Sequence, residues 1–430
     1  MNQTEQTTKT PKTGFAFALV VTLFFLWALT SNLLSTLIPH LRKACQLDYL
    51  QSTLIDFAYW TAYFVMAIPA SMIMRKYSYK TGIICGLVIA TVGSALFYPA
   101  AEVRQFGLFL AALFLMASGM AFLETAANPY ITILGKPESS SQRLNFAQAF
   151  NGLGAFVATF FLSKMILSGV EYTPEQLSAM SPVDLEKYLS FEASRVQLPY
   201  LGIALVLLLV AVLFYIVKMP PVTEEKDSSF KLDFSVFKRR HFTHGVIAQF
   251  FYVGAQVCIS SLFIPYVRYT TNISEQTIND NHYLGYLLLC FMVGRYVGTF
   301  IMTKVKPNQL LAIYGVCNIL LLTYCVMVGG KLGIYAMMGV EFFMSIMFPT
   351  IFALGIKDLG THTKVGSSFM VMSIVGGALI PLIVGYISKH INIQVAYIVP
   401  LICFIYVFYY GWKGYIITTK RESIEEMKMA

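Results

Sequence analysis

Twelve apolar runs, each long enough to cross a lipid bilayer, constrain the fold of this chain more than any other feature of its sequence. A membrane-spanning helix needs about 20 predominantly apolar residues, because the hydrocarbon core is about 30 Å thick. The runs cover residues 14–40, 49–74, 79–99, 106–134, 144–169, 197–218, 244–269, 282–304, 310–330, 332–356, 365–388 and 393–415. The sequence therefore predicts an all-α polytopic membrane protein with twelve transmembrane helices.

Composition and missing motifs exclude soluble domains and several classes of membrane machine. The chain is 57% hydrophobic and 12% charged, whereas an ordinary soluble domain carries about 25% charged residues. The first run is too long for the hydrophobic part of a signal peptide, so we expect it to remain as a helix. There is no P-loop, no G-x-S-x-G and no H-E-x-x-H sequence, which argues against an ATP-driven pump or another enzyme.

The positions of the basic residues predict the orientation of the chain. With twelve spans both termini lie on one side, and about 21 of the 31 Lys and Arg residues fall on that side. About 9 fall on the other side, and Arg295 lies within a span. By the positive-inside rule both termini are cytoplasmic, and a polar loop at residues 171–195 is extracellular. The basic cluster at residues 238–240 is expected to meet anionic lipid, and no nucleic-acid partner is expected.

The two halves of the chain resemble each other weakly. SNLLSTLIPHLRK matches VCISSLFIPYVRY 226 residues later, and NPYITILG matches FPTIFALG 220 residues later. Direct repeats of six helices imply two bundles related by a pseudo-two-fold axis along the membrane normal, with a substrate site between them near the midplane. We predict an N-terminal bundle at residues 1–219, a cytoplasmic linker at 220–241 and a C-terminal bundle at 242–430.

Glu124 is the ionisable residue that most strongly predicts a site. A carboxylate inside a membrane helix costs about 3 kcal/mol or more, so it is expected to face a cavity or a partner. Glu124 is about 16 Å deep and Asn151 about 14 Å deep from the same side, and Gln148 and Asn151 share a helical face. An acid and two amides at one level suit a polyol, because sugar hydroxyls both donate and accept hydrogen bonds. A polar clamp between helices, without a ligand, is the alternative.

Two further charged residues lie within apolar runs. Arg295 is deep enough to need a counter-charge or a wet cavity, with Glu341 and Glu124 as candidate partners. A structural ion pair and a substrate contact are equally compatible with its position. Asp56 lies about 10 Å below the outer surface, where it is either a cation or proton site near the mouth or a solvated acid.

No metal or cofactor is expected. The seven cysteines occur singly, without ligand spacing, and are interpreted as packing residues. Without a nucleotide-binding motif, the energy for transport must come from an ion gradient. The coupling device is then a buried carboxylate that takes up a proton at one face of the membrane and releases it when the cavity reopens at the other.

Five stretches resemble the L-fucose/proton symporters and, with them, the fucose–galactose–glucose branch of the major facilitator superfamily. They are FLWALTSNLLSTLIPHL, FLETAANPYITILG, RLNFAQAFNGLGA, GRYVGTF and FPTIFALGIKDLGTHTKVGSSFMVMSIVGG. The resemblance covers nearly all spans in order. It implies a major facilitator fold, a rocker-switch mechanism and sugar symport.

Carried over by position, the resemblance assigns roles to individual residues. Glu124 matches an essential glutamate of the family, and Gln148 and Asn151 match its amide pair. Asn32 matches an asparagine of the first helix, and Arg295 matches the arginine of the eighth. Asn128, in the same motif as Glu124, completes the set of predicted sugar-binding residues.

One departure from the family concerns proton coupling. The family pattern N-D-I-L-I-P-H contains an aspartate implicated in proton exchange, where this chain has Ser35 within L-S-T-L-I-P-H. Our hypothesis is that Asp56, on the neighbouring helix at a similar depth, takes its place beside Glu124. The alternatives are coupling through Glu124 alone, coupling to Na⁺ through oxygens of Ser35 and Thr36, and uncoupled transport.

Together these features predict import of a neutral monosaccharide by proton-coupled alternating access. L-fucose is the first expected substrate and galactose or glucose the next, while multidrug or lipid efflux is an alternative of a different class. A sensor that binds sugar without moving it is a third. We expect a monomer in the plasma membrane, that is, a bacterial inner membrane.

Overall fold

The computed structural model describes residues 13–47, 49–167, 172, 174–220, 234–273 and 282–417, and these form helices and their connections without a β-strand. Twelve helices, α1 to α12, follow one another in the order that the apolar runs predict. Their bounds are Thr13–Asn32 with Leu34–Ala44 (α1), Tyr49–Lys76 (α2), Tyr79–Val103 (α3), Phe106–Ile133 (α4), Ser140–Val157 with Ser163–Ile166 (α5), Gln197–Ile216 (α6), Arg240–Ser261 with Phe263–Thr271 (α7), Tyr283–Ile301 (α8), Pro307–Met327 (α9), Gly330–Met344 with Met347–Gly355 (α10), Thr363–Met372 with Gly376–His390 (α11) and Ile393–Ala396 with Ile398–Tyr409 (α12).

Eleven of the described helical stretches are long and apolar enough to cross a membrane. The twelfth predicted crossing, residues 144–169, is α5. A π-helical turn at Ala158–Leu162 interrupts this helix, and its first part carries the amides of Asn145, Gln148 and Asn151. The crossing with the weakest apolar signal is therefore one that carries predicted site residues.

Most of the segment predicted as a polar loop at residues 171–195 is helical. Its helices are Pro174–Ala179 and Pro182–Ser194. The side chain of Ser181 caps the second helix by accepting a hydrogen bond from the backbone N–H of Asp184. Glu192 in this helix is buried and pairs with Lys43 at the end of α1, at 2.8 Å between Nζ and Oε1. Such a helix is not recognisable from its polar sequence, because the ion pair that buries Glu192 forms only in the folded chain.

The linker predicted at residues 220–241 falls mostly outside the described residues, since 221–233 are not among them. What is described of it is a 3-10 turn at Phe234–Lys238, followed by the start of α7 at Arg240.

The helices pack into two bundles, α1–α6 and α7–α12, and α4 is the most enclosed helix of the first. Its residues from Met116 to Thr132 are all buried, as expected of a helix surrounded by other helices. Glycine allows this packing, because a Cβ at Gly119 would collide with the backbone nitrogen of Ala90 and the carbonyl oxygen of Gly86 on α3. The buried position of α4 places Glu124 in the interior of the bundle.

Hydrogen bonds join the two bundles in one half of the molecule. Because successive helices run in opposite directions, α1 begins and α12 ends at the same end, which we call the terminal end. Near this end Lys364 Nζ donates to the carbonyl oxygen of Met74 at 2.8 Å, and Asn145 Nδ2 donates to Thr350 Oγ1 at 3.0 Å. Each bond crosses from one bundle to the other, so in this conformation the bundles are closed against each other at the terminal end.

Replacing Gly119 with Ala tests the close approach of α3 and α4. The added methyl group forces the two backbones apart, and such overpacking costs about 1–3 kcal/mol. We expect a clear decrease in the melting temperature of the detergent-solubilised protein. Gly107→Ala, in the first turn of the same helix, is the matched control, since nothing lies within 4 Å of its Cβ position. Equal melting temperatures for the two variants would contradict this account.

Asn145→Ala and Thr350→Val test the closure of the bundles. Each change removes the same interbundle hydrogen bond, which contributes about 1 kcal/mol, so we expect the population opened at the terminal end to rise about fivefold. Spin labels at the exposed positions Lys136 and Lys357, in a background without native cysteines, report the distance between the bundles. The double variant should open no further than either single variant. The control Gln309→Ala, at an exposed amide, should leave the distance distribution unchanged.

Candidate functional site

Glu124 is the centre of the candidate site. It lies in the middle of α4 with 3% of its surface exposed, and neither of its carboxylate oxygens has a hydrogen-bond partner among the described residues. Buried polar atoms are nearly always paired, and an unpaired set marks a place for a ligand, a water or a proton. Glu124 therefore has the burial and the free oxygens that a binding or proton-exchange site requires.

An aromatic cluster of α1 and α2 faces this carboxylate. Glu124 interacts electrostatically with Tyr59 and Tyr63 of α2. The hydroxyl oxygen of Tyr63 accepts hydrogen bonds from Trp27 Nε1 at 2.6 Å and from the hydroxyl of Tyr59 at 3.3 Å. The rings of Tyr59 and Tyr63 lie 5.0 Å apart and that of Trp60 lies 5.4 Å from Tyr59. The cluster offers apolar ring faces next to polar hydroxyl groups.

Asn128 and Gln148 form a pair of amides beside Glu124. Asn128 follows Glu124 by one turn of α4, so both side chains lie on the same face. Gln148 Nε2 of α5 donates to Asn128 Oδ1 at 3.3 Å, while Nδ2 of Asn128 has no partner in the part of the chain that the structure describes. Both amides are buried. Among the described residues, this face of α4 thus has a free amide donor on Asn128, one helical turn from the two free carboxylate acceptors of Glu124.

Asn151 and Asn32 have a different environment from the other predicted sugar-binding residues. Asn151 Nδ2 donates to the carbonyl oxygen of Phe24 at 3.4 Å, across the contact between α5 and α1. Asn32 Nδ2 donates to the carbonyl oxygen of Ala28 at 2.8 Å, within its own helix. Both residues are partly exposed. The structure thus connects Gln148 with Asn128, whereas Asn151 fastens α5 to α1.

Arg295 bridges the two bundles through backbone carbonyl groups. Its Nη1 donates to the carbonyl oxygen of Gln148 at 2.7 Å, and its Nε donates to that of Ser345 at 2.8 Å. Its guanidinium carbon lies 4.6 Å from the centre of the Phe291 ring. Neither of the ion pairs considered for Arg295, with Glu124 or with Glu341, is formed among the described residues, because these carbonyl oxygens and the ring face take the place of a counter-charge.

The two residues on which the coupling hypothesis depends lie in helices, but their side chains fall outside the described part of the structure. Ser35 belongs to the second part of α1 and Asp56 to α2. The predicted substitution of Asp56 for the family's aspartate therefore stays a prediction. Among the described residues, no group of three His, Cys, Asp or Glu side chains is placed to hold a metal ion.

Sequence reasoning missed Gln249 and the aromatic cluster. Gln249 of α7 is fully buried, and within the described segments neither its amide oxygen nor its amide nitrogen has a partner. A lone glutamine in an apolar run was a usable signal, of the same kind as Gln148. The pattern Y-W-T-A-Y, which places Tyr59, Trp60 and Tyr63 on one side of a helix, was the corresponding signal for the cluster.

An open cavity lies at the terminal end, away from Glu124. It has a volume of about 570 Å³ and is lined by residues that include Arg75, Thr132, Lys357 and Lys364. Thr132 follows Glu124 by eight residues on α4, which is about 12 Å along the helix. The carboxylate and the unpaired amide donor do not line this cavity, as expected when the bundles are closed at this end.

Comparison with known proteins identifies the family. The Major Facilitator Superfamily model matches residues 19–373. The chain is 41% identical to the L-fucose-proton symporter of Escherichia coli K12 over 404 residues, which are 92% of each chain. It is 40% identical to a glucose/galactose transporter of Brucella abortus over 402 residues, 93% of this chain and 94% of that one.

Solved structures agree with this result. The crystal structure of the Major Facilitator Superfamily transporter FucP in the outward conformation matches with a TM-score of 0.86 and 40% identity, covering 93% of this chain and 98% of that one. The twelve helices and two bundles of this chain therefore form the major facilitator fold that the sequence predicts. The chain is an integral membrane protein that belongs to the Major Facilitator Superfamily.

Proposed function

We propose that this protein is a secondary active transporter that imports a neutral monosaccharide together with H⁺ by alternating access. One observation carries the proposal: the two carboxylate oxygens of Glu124, unpaired among the residues described, lie one helical turn from the equally unpaired amide donor of Asn128, deep in the bundle. A polyol can bind both groups, because each of its hydroxyl groups both donates and accepts hydrogen bonds. The relatives named above are a fucose–proton symporter and a glucose/galactose transporter, which supports the same substrate class.

In this proposal the site residues have distinct roles. Glu124 accepts hydrogen bonds from sugar hydroxyls and exchanges the coupling proton, and Asn128 and Gln148 hold the sugar through their amides. Asn151 and Asn32 contribute from the contact of α1 with α5. Arg295 acts from the second bundle, where it binds the carbonyl oxygen of Gln148. The rings of the aromatic cluster cover the apolar face of the sugar.

The finer assignments follow from the sequence and from the family. L-fucose is the first candidate substrate, and galactose or glucose is the next. The coupling ion is H⁺, carried by Glu124 with Asp56 as a second carboxylate, and no further cofactor is needed. Coupling to Na⁺ and uncoupled transport are outcomes that the uptake experiment below distinguishes.

We also propose the topology and location of the protein. The excess of Lys and Arg on the side of the termini places both termini in the cytoplasm, with the chain in a bacterial inner membrane as a monomer. Residues 1–219 and 242–430 are the two bundles, and 220–241 is the cytoplasmic linker. The interbundle hydrogen bonds then close the cytoplasmic side, so the described conformation corresponds to the one that faces outward.

Uptake of labelled sugars into proteoliposomes tests the function directly. We expect accumulation of L-fucose, galactose or glucose when the outside is acidic, and none when only a Na⁺ gradient is imposed. A pH difference of one unit supports up to about tenfold accumulation for each coupled proton. Accumulation driven by Na⁺ alone would overturn proton coupling, and dye efflux without any sugar exchange would overturn sugar transport.

Glu124→Gln tests the role of the carboxylate. The amide still forms hydrogen bonds with a sugar but cannot release a proton, so pH-driven accumulation should be lost. Exchange of labelled sugar without a gradient should fall by no more than about tenfold, the worth of one hydrogen bond. The control is Glu102→Gln, the same chemical change at an exposed position of α3. Unchanged pH-driven accumulation in Glu124→Gln would contradict the assignment.

A further inference from the structure

Glu341 of α10 is a second carboxylate buried within the membrane-spanning region. It has 1% of its surface exposed, and its Oε1 accepts a hydrogen bond from Ser260 Oγ of α7 at 2.8 Å. No cationic group forms an ion pair with it among the described residues. A carboxylate buried beside one neutral hydroxyl group is much less costly when it carries a proton.

The cation nearest to Glu341 in the fold is held away from it by backbone contacts. Arg295 Nε binds the carbonyl oxygen of Ser345, which follows Glu341 by one helical turn, about 6 Å along the helix. Arg295 interacts electrostatically with Glu341 but is not paired with it. Arg295 is thus bound to α10 one helical turn from Glu341.

Arg295 is the one cationic group among the described residues that act on Glu341. Ser260 of α7 is hydrogen-bonded to the carboxylate. Tyr252 of α7, Cys290 and Arg295 of α8, and Tyr397 of α12 interact with it electrostatically. The hydroxyl and thiol groups are neutral at physiological pH. The choice for Glu341 is thus between carrying a proton and pairing with Arg295.

The contact that holds Arg295 crosses the bundle interface. Its Nη1 donates to the carbonyl oxygen of Gln148 on α5, so this bond breaks when α5 and α8 move apart. A buried guanidinium that loses an acceptor needs another one, and an ionised carboxylate is the strongest acceptor available. Separation of the bundles thereby favours the ionised form of Glu341.

We propose that Glu341 is a second proton site of this transporter, protonated while Arg295 binds Gln148 and ionised when bundle separation lets Arg295 pair with it. The O–H bond of the carboxyl group breaks, and the proton passes to water in the opened cavity. Because the bundles are joined at the terminal end, the proton leaves on that side. This inference rests on the proposed sugar–proton symport, in which it adds a coupling site on the second bundle.

Glu341→Gln tests this site, because glutamine imitates the protonated carboxyl group and keeps an oxygen for Ser260. In proteoliposomes we expect sugar exchange without a gradient to persist. Accumulation driven by a one-unit pH gradient should fall by up to about tenfold, because one coupled proton supports about a tenfold accumulation at this gradient. The number of protons that enter with each sugar should fall as well. Glu102→Gln is the matched control. If the wild type moves sugar with protons and Glu341→Gln gives the same accumulation and the same proton count, the inference is overturned while the proposed function stands.

An infrared measurement tests the site without any transport. The purified protein should show carbonyl absorption from protonated carboxylic acids, and Glu341→Gln should remove part of it whereas Glu102→Gln should not. The double variant of Asn145 and Thr350 should lose a fraction of this part that matches the rise in its opened population, and Arg295→Gln in that background should restore it. Equal spectra of the wild type and Glu341→Gln would overturn the inference, even in a protein that transports no sugar.

Discussion

The free-energy cost of placing a charged side chain in hydrocarbon determines where the charged residues of the membrane-spanning helices lie. A charged side chain at the bilayer centre costs about 3 kcal/mol or more unless it is enclosed. Glu124, Arg295 and Glu341 expose 3%, 4% and 1% of their surfaces, and the side-chain hydrogen bonds of Arg295 and Glu341 are made with other helices. The helices α4, α8 and α10 must therefore turn these faces toward the interior. The packing of each bundle follows from that requirement.

Much of the fold could be predicted from the sequence because apolar run length is a local property. The twelve runs correspond to α1–α12, and the family motifs fixed the architecture that the comparison with solved structures confirms. The interruptions of the helices were not predictable, because the break at Leu33 and the π-helical turn at Ala158–Leu162 carry no Gly or Pro. The helix Pro182–Ser194 was missed because its burial depends on a partner, Lys43, that is remote in sequence.

The site was predictable to the level of residue type and depth, but not of pairing. Polar side chains in apolar runs need an explanation, and this criterion identifies the acid Glu124, the amide Gln148 and the cation Arg295. The sequence does not show that Arg295 binds two carbonyl oxygens, because every residue has a carbonyl group and only the folded geometry selects two of them. For the same reason, the sequence left open whether Arg295 pairs with a glutamate, and no such pair is formed among the described residues in this conformation.

Unpaired polar atoms occur in both bundles, and this gives the proposed sugar a role in the conformational change. Glu124 and Asn128 lie in the first bundle and Gln249 in the second, each with buried atoms that lack a partner in the described structure. A ligand bonded to both sets is held more tightly when the bundles are close than when they are apart. Three hydrogen bonds of about 1 kcal/mol each shift such an equilibrium by roughly 150-fold. A ligand bonded to one bundle alone shifts nothing, because its affinity is equal in both states.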